Sequence, residues 1–210
     1  MASETTALPP RSSKPGRRFF FAALACFWLA GVASGLWVLW AYDNRPGEGA
    51  QAPRHWPAGS VLTAAANRPT LVFLAHPQCT CTRASLDELA EILARAKTPP
   101  KTYVLFLKPS SVDASWDETD LLKRATTLPN VVVLRDADGR EAKRFGVETS
   151  GQTLLYDATG RLIFSGGITG SRGHVGENAG ELALISLINS GRAERSATSV
   201  FGCPLFATAD

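Results

Sequence analysis

The chain has 210 residues, 45% of them apolar and 9% aromatic, enough for one packed domain with appendages. Its formal net charge of +3 is confined to the first 18 residues, where Arg11, Lys14, Arg17 and Arg18 stand against Glu4; beyond them 18 basic and 18 acidic residues balance. A neutral remainder offers no electrostatic footprint to a phosphate backbone, which argues against nucleic acid as a partner.

Residues 1–18 read as a basic cytoplasmic tail. From Phe19 to Tyr42 the chain carries no charge for 24 positions. A membrane-spanning helix needs about 20 apolar residues, whereas the apolar core of a cleaved signal peptide has about 7–15. Residues 19–42 are therefore expected to be a single-pass transmembrane signal anchor. Trp37, Trp40 and Tyr42 would sit at its far headgroup layer. The positive-inside rule places the N-terminus in the cytoplasm, so residues 43–210 would lie outside the inner membrane, in the periplasm or its equivalent. Arg17 and Arg18 are read as orientation charges rather than a twin-arginine signal. Cys26, inside the span, is read as a small apolar filler. Residues 43–59, rich in Pro, Gly and Ala, read as a tether of limited flexibility.

A globular domain is expected over residues 60–190. Val61 to Ala65 reads as a short lead-in helix or strand. Thr70–Ala75 is a continuous apolar run, as in a central strand buried on both faces. An amphipathic helix follows from about Thr82 to Ala96, with Leu86, Leu89, Ala90, Leu93 and Ala96 at helical spacing, and Thr98-Pro-Pro100 stops it. Thr102–Leu107 is a second strand, parallel to the first because a helix joins them. A polar loop over residues 108–117, a helix over 118–127 and a third strand over 131–135 come next. Asp136-Ala-Asp-Gly139 and Asp157-Ala-Thr-Gly160 have the composition of hairpin turns. The last helix is expected over 177–189, with Leu182, Ile185, Leu187 and Ile188 available to cover the sheet. Together these elements predict an α/β fold, a four- or five-stranded mixed sheet with helices on both faces. In the tail, residues 191–210, the apolar run Val200 to Phe206 is expected to pack back on the domain.

Between the first strand and its helix lies His76-Pro-Gln-Cys-Thr-Cys-Thr-Arg83. Cys79 and Cys81 stand where unpaired backbone N–H groups and the helix dipole favour negative charge, an environment that lowers a thiol pKa and enlarges the reactive thiolate fraction. His76 is positioned by sequence to stabilise a thiolate or relay a proton. A disulfide between residues two apart closes a small ring, which argues for an oxidising couple or exchange catalyst rather than a strong reductant. Cys79 is expected to attack if it is the more exposed thiol, and Cys81, expected to lie deeper at the helix start, to resolve the mixed disulfide.

Strand, cysteine turn and helix resemble the opening of a thioredoxin-like fold. The closest resemblance is to membrane-anchored thioredoxin-like proteins of the cytochrome-maturation kind (TlpA/ResA-like), including the RedB type. Pro129 to Asp136, Asp138-Gly139, Phe145-Gly-Val147, Gln152 to Asp157 and Leu162 to Gly167 extend it over roughly residues 60–190. Two departures stand out. The family's Cys-x-x-Cys is here Cys79-Thr-Cys81, and Gly151 occupies the position of the family's cis-proline. The resemblance implies thiol–disulfide oxidoreductase chemistry on exported proteins that carry thiols or disulfides, with Thr80, Gly151 and Gln152 on the surface that meets them and no cofactor.

Two alternatives use the same residues. One is a soft-metal carrier for copper or zinc, with Cys79, Cys81, His174 and Cys203 as ligands. The other is a non-catalytic thioredoxin-like scaffold. Cys203 is the odd thiol outside the span, open to pairing with Cys79 or Cys81 or to inert packing. The glycine-rich run Gly166 to Gly176, which holds Arg172 and His174, reads as a tight surface loop in preference to an anion site.

Overall fold

The structure, a computed structural model, describes residues 15–206. Glu4, Arg11 and Lys14 of the basic tail lie outside the described residues, as do positions 207–210. The chain divides into two units, residues 1–42 and 43–210.

Among the described residues the first unit is formed by the helix α1 (Pro15–Asp43), of 29 residues. At about 1.5 Å per residue it exceeds the ~30 Å hydrocarbon core of a bilayer. Phe19, Phe27, Trp28, Leu36 and Trp37 are exposed; a helix apolar on all sides has no aqueous face to offer. By length and composition α1 is able to cross a membrane.

The second unit is built on a five-stranded sheet, whose strands are β1 (Thr70–Ala75), β2 (Lys101–Lys108), β3 (Val131–Ala137), β4 (Gln152–Tyr156) and β5 (Leu162–Gly166), in the order β3-β2-β1-β4-β5. β1, β2 and β3 are parallel; β4 runs antiparallel to β1, and β5 to β4. Between them lie α2 (Cys81–Arg95), α3 (Asp120–Thr126) and α4 (Arg140–Arg144), and α5 (Ala179–Ser190) closes the fold. A parallel βαβ half joined through β1 to an antiparallel hairpin, with helices on both faces, is the thioredoxin-like fold.

All six residues of β1 are buried. Alternation along the strand sends Leu71, Phe73 and Ala75 into one core with Leu86, Leu89 and Ile92 of α2 and Leu184 and Leu187 of α5. Val72 and Leu74 enter the other, with Tyr103, Phe145, Val147, Leu154 and Tyr156. α5 starts where Asn178 accepts from the Gly180 and Glu181 amides at 3.0 and 3.1 Å, an N-cap with a side-chain oxygen.

Several expectations are corrected. Residues 43–59, read as a tether of limited flexibility, run along the domain and pair with it. The amides of Gly47, Gln51 and Trp56 donate to Val200, Gly146 and Gly160 carbonyls at 2.7–2.8 Å, and Trp56 packs edge-on against Phe145 and Tyr156. Residues 61–65 form neither helix nor strand; Leu62 is buried in the second core. Asp136 to Gly139 does not reverse a hairpin but opens α4. The Asp136 carboxylate accepts from the Glu141 and Ala142 amides at 2.9 and 2.8 Å, capping that short helix. Leu182 stays 41% exposed while Leu184 is fully buried, because α5 turns Gly180, Ala183, Leu184 and Leu187 inward.

The tail packs back as expected. A bridge pairs Ala197 with Ser165 beside β5, and a second pairs Pro204 with Thr149. Val200 and Leu205 are buried. A Cβ on Gly166 would overlap Thr198 and one on Gly202 would overlap the Ser150 carbonyl oxygen, so the tail approaches main chain to main chain.

Candidate functional site

The site lies where β1 gives way to α2. The His76 amide donates to Ser150 Oγ at 2.9 Å and the Gln78 amide to His76 Nδ1 at 3.1 Å. The turn then closes on itself, with the Cys79 amide donating to the His76 carbonyl at 3.2 Å and the Thr82 amide to the Cys79 carbonyl at 3.0 Å. Thr80, the N-cap residue, already has helical backbone angles and makes no side-chain cap hydrogen bond. The first amides of α2 are therefore not capped by a side chain, and their dipoles favour negative charge at the adjoining sulfurs.

Cys79, Cys81 and Cys203 are all free thiols, and the fold brings them together. Cys203 arrives on the tail, held by the Ser150 amide donating to its carbonyl at 2.9 Å and by the Leu205 amide donating to Glu148 at 2.7 Å. Arg172 comes from the glycine-rich loop; its Nη1 donates to the Gly202 carbonyl at 2.7 Å, and its guanidinium reaches Cys81. Burial acts upward on the Cys79 thiol, but hydrogen bonds from the Cys203 thiol and main chain, the Thr82 side chain and the Cys81 main chain outweigh it and hold the pKa below the ordinary value. Cys81 is pushed up by burial and then by the charge on Cys79, with Arg172 opposing. Burial and the hydrogen bond and charge of Cys79 push Cys203 up to about 12, again against Arg172. One sulfur of the three is thus set to be the thiolate.

The order of exposure expected from sequence is reversed. Cys79 is 1% exposed and Cys81 8%, because Cys79 lies beneath Cys203 while Cys81 opens α2. Cys79 nevertheless forms part of the wall of a cleft of about 220 Å³, together with Pro77, Gln78, Thr80 and Thr119, and with the ion-paired Arg83 and Asp120.

The other predicted residues are distributed around the cluster. His76 faces Trp116, ring centroids 5.2 Å apart, and burial lowers its pKa. Its Nδ1 is occupied as the acceptor for Gln78, and the hydrogen bonds that act on the thiols come from other groups. Trp116 is carried by the short 3₁₀ turn Ala114–Asp117, whose buried Asp117 pairs with Lys108 and Arg135. Gly151 has φ +90 and its amide donates to the Leu74 carbonyl at 2.8 Å. A Cβ there would be 3.2 Å from Ser85 Oγ, so a glycine fits between sheet and helix. Gln152 is buried with its amide nitrogen on Ser165 Oγ at 3.1 Å. Thr80 is exposed at the cleft and His174 is exposed on its loop.

Among the described residues no group of three or more His, Cys, Asp or Glu side chains is disposed to hold a metal ion. The fourth neighbour of the thiols is the cationic Arg172, which repels a metal cation and favours a thiolate. Sequence reasoning missed Arg172 and Thr82 as partners of the thiols, and Ser150 as the residue that holds the Thr82 hydroxyl and the Cys203 main chain. The signals were present only as an arginine in a glycine-rich loop and as hydroxyls flanking the cysteine turn and Gly151.

No family model matches the chain, and no curated protein matches it by sequence. Similarity appears among solved structures. An uncharacterized conserved protein from Geobacillus kaustophilus superposes with a TM-score of 0.56 at 15% identity, covering 79% of this chain and 94% of that one. A hypothetical protein from Sinorhizobium meliloti gives 0.52 at 18% identity, covering 77% and 98%. A secreted disulfide oxidoreductase from Mycobacterium tuberculosis overlaps 45% of this chain and 66% of its own, at 19% identity and a TM-score of 0.36. At these identities the likeness is one of fold, and it rests on the first two.

Proposed function

We propose that the chain is a membrane-anchored thiol–disulfide exchange protein, with Cys79 as the attacking thiolate and α1 holding the domain on the extracytoplasmic face of the inner membrane. The supporting observation is Cys79: hydrogen bonds to its thiol outweigh the effect of burial, and the residue borders the cleft beside Thr80 and Arg83. In the reaction Cys79 attacks a disulfide of an exported protein, the client thiolate leaves, and a second cysteine of this chain releases the other half. His76 orders the turn through Gln78 and Ser150.

The test is exchange with a peptide disulfide by the full-length protein in detergent micelles. Cys79→Ser is expected to lower the rate by about a hundredfold or more, with folding unchanged by circular dichroism. Undiminished exchange in that variant overturns the role of Cys79, and no exchange by the wild-type protein overturns the proposal and favours the scaffold reading.

A further inference from the structure

The thiol that resolves the mixed disulfide follows from the placement of the three sulfurs. This inference rests on the exchange reading above. Cys79 precedes α2, Thr80 is its N-cap with helical backbone angles and Cys81 its first residue, and the Thr82 and Arg83 amides donate to the Cys79 and Thr80 carbonyls at 3.0 and 3.3 Å. The Cys79 and Cys81 side chains are within hydrogen-bond reach of each other, but a disulfide between residues two apart closes a very small ring that is strained unless the backbone adapts. A Cys79–Cys81 bond would therefore strain the turn that opens α2.

Cys203 needs no such rearrangement. Its thiol and main chain are already at hydrogen-bond distance from the Cys79 sulfur. Its position is fixed by the Thr149–Pro204 bridge, the Ser150 amide, and Arg172 on the neighbouring Gly202 carbonyl. Gly202 lies so close to Ser150 that no other residue fits.

We infer that Cys203 is the resolving cysteine, and that turnover forms a Cys79–Cys203 disulfide that clamps the C-terminal tail to the turn between β1 and α2.

The chemistry balances with a client disulfide R–S–S–R′ as oxidant. Cys79 thiolate attacks one sulfur, the Cys79–SR bond forms, the S–S bond breaks, and R′S⁻ leaves and takes a proton from solvent. Cys203 then attacks the Cys79 sulfur; the Cys79–Cys203 bond forms, the Cys79–SR bond breaks, and RS⁻ leaves with the proton Cys203 gives up. Two thiols of this chain are oxidised and one client disulfide is reduced to two thiols. The first step also prepares the second. Once Cys79 is in a mixed disulfide its negative charge, which opposed ionisation of Cys203, is gone, and the favourable charge of Arg172 remains. Cys81 is left as a spectator at the helix start.

The experiment treats the reduced full-length protein in detergent micelles with oxidised glutathione and maps the products by non-reducing tryptic mass spectrometry. Cys79 and Cys81 share one tryptic peptide, and Cys203 lies on another that begins at Ser196. The expected result is a cross-link between the two peptides in the wild type and in Cys81→Ser. In Cys203→Ser the glutathione adduct on Cys79 should persist, its resolution slowed about tenfold or more. An internal bond within the Cys79 peptide, or a cross-link that vanishes in Cys81→Ser, overturns the inference and leaves the exchange reading intact. A Cys79 that acquires neither glutathione nor a cross-link overturns both. The wild-type map requires no variant to fold.

Discussion

Cys79 differs from its two neighbours in what donates to it. The Cys203 thiol and main chain, Thr82 and Cys81 all act on its sulfur, whereas Cys81 and Cys203 each lie beside the charge that Cys79 would carry. An unperturbed thiol titrates near about 8.5, and the shift for Cys79 is downward. As the pH is lowered, Cys79 should therefore stay ionised, and reactive, after ordinary thiols have become protonated. Peptide-resolved alkylation of the folded protein by iodoacetamide is expected to show Cys79 titrating below that value, with Cys203 unreactive until far above it. An inflection for Cys79 at or above the ordinary thiol value would remove the electrostatic basis of the site. The cysteine turn was legible from sequence because Cys79 and Cys81 directly precede a clear helical period. The identity of the thiolate was only half legible. Relative exposure depends on what lies above a residue, and here that is a segment more than a hundred positions away.

At the scale of elements, the strands and long helices were readable because burial on both faces leaves an unbroken apolar run, as in Thr70–Ala75, and burial on one face leaves a period near four, as in α2. α4 was missed because five residues carry too little periodicity, and its cap, Asp136, has the same local composition as a hairpin turn. How the 43–59 segment is held was not legible for a related reason: main-chain hydrogen bonds to Gly146, Gly160 and Val200 hold it, and main-chain pairing leaves no pattern in side chains. The tail is held in the same way, which sets the prediction at this scale. Gly202→Ala places a methyl group against the Ser150 carbonyl oxygen, so the tail must shift. The expected cost is about 1–3 kcal/mol, read as a lower denaturant midpoint. Alkylation of Cys79 should also become faster as Cys203 withdraws. Unchanged stability together with unchanged alkylation would show that the tail is not held at that contact.

For the whole molecule, both cores and all three clustered thiols belong to residues 43–210, while α1 contributes a separate apolar helix. A fragment beginning at Asp43 is expected to be monodisperse without detergent and to melt cooperatively at the temperature of the full chain in micelles. The full chain should stay with the membrane pellet after alkaline carbonate extraction. A fragment that aggregates or melts without cooperativity would mean that the domain depends on its anchor. The seating of Cys203 has one more outcome, which concerns time rather than place. Cys79 and Cys203 are 124 positions apart, so a nascent polypeptide displays the first sulfur long before the second has been translated. Through that interval Cys79 lacks the hydrogen bonds that Cys203 supplies in the finished protein, so the electrostatics of its sulfur are completed only after residue 203 has been made and seated.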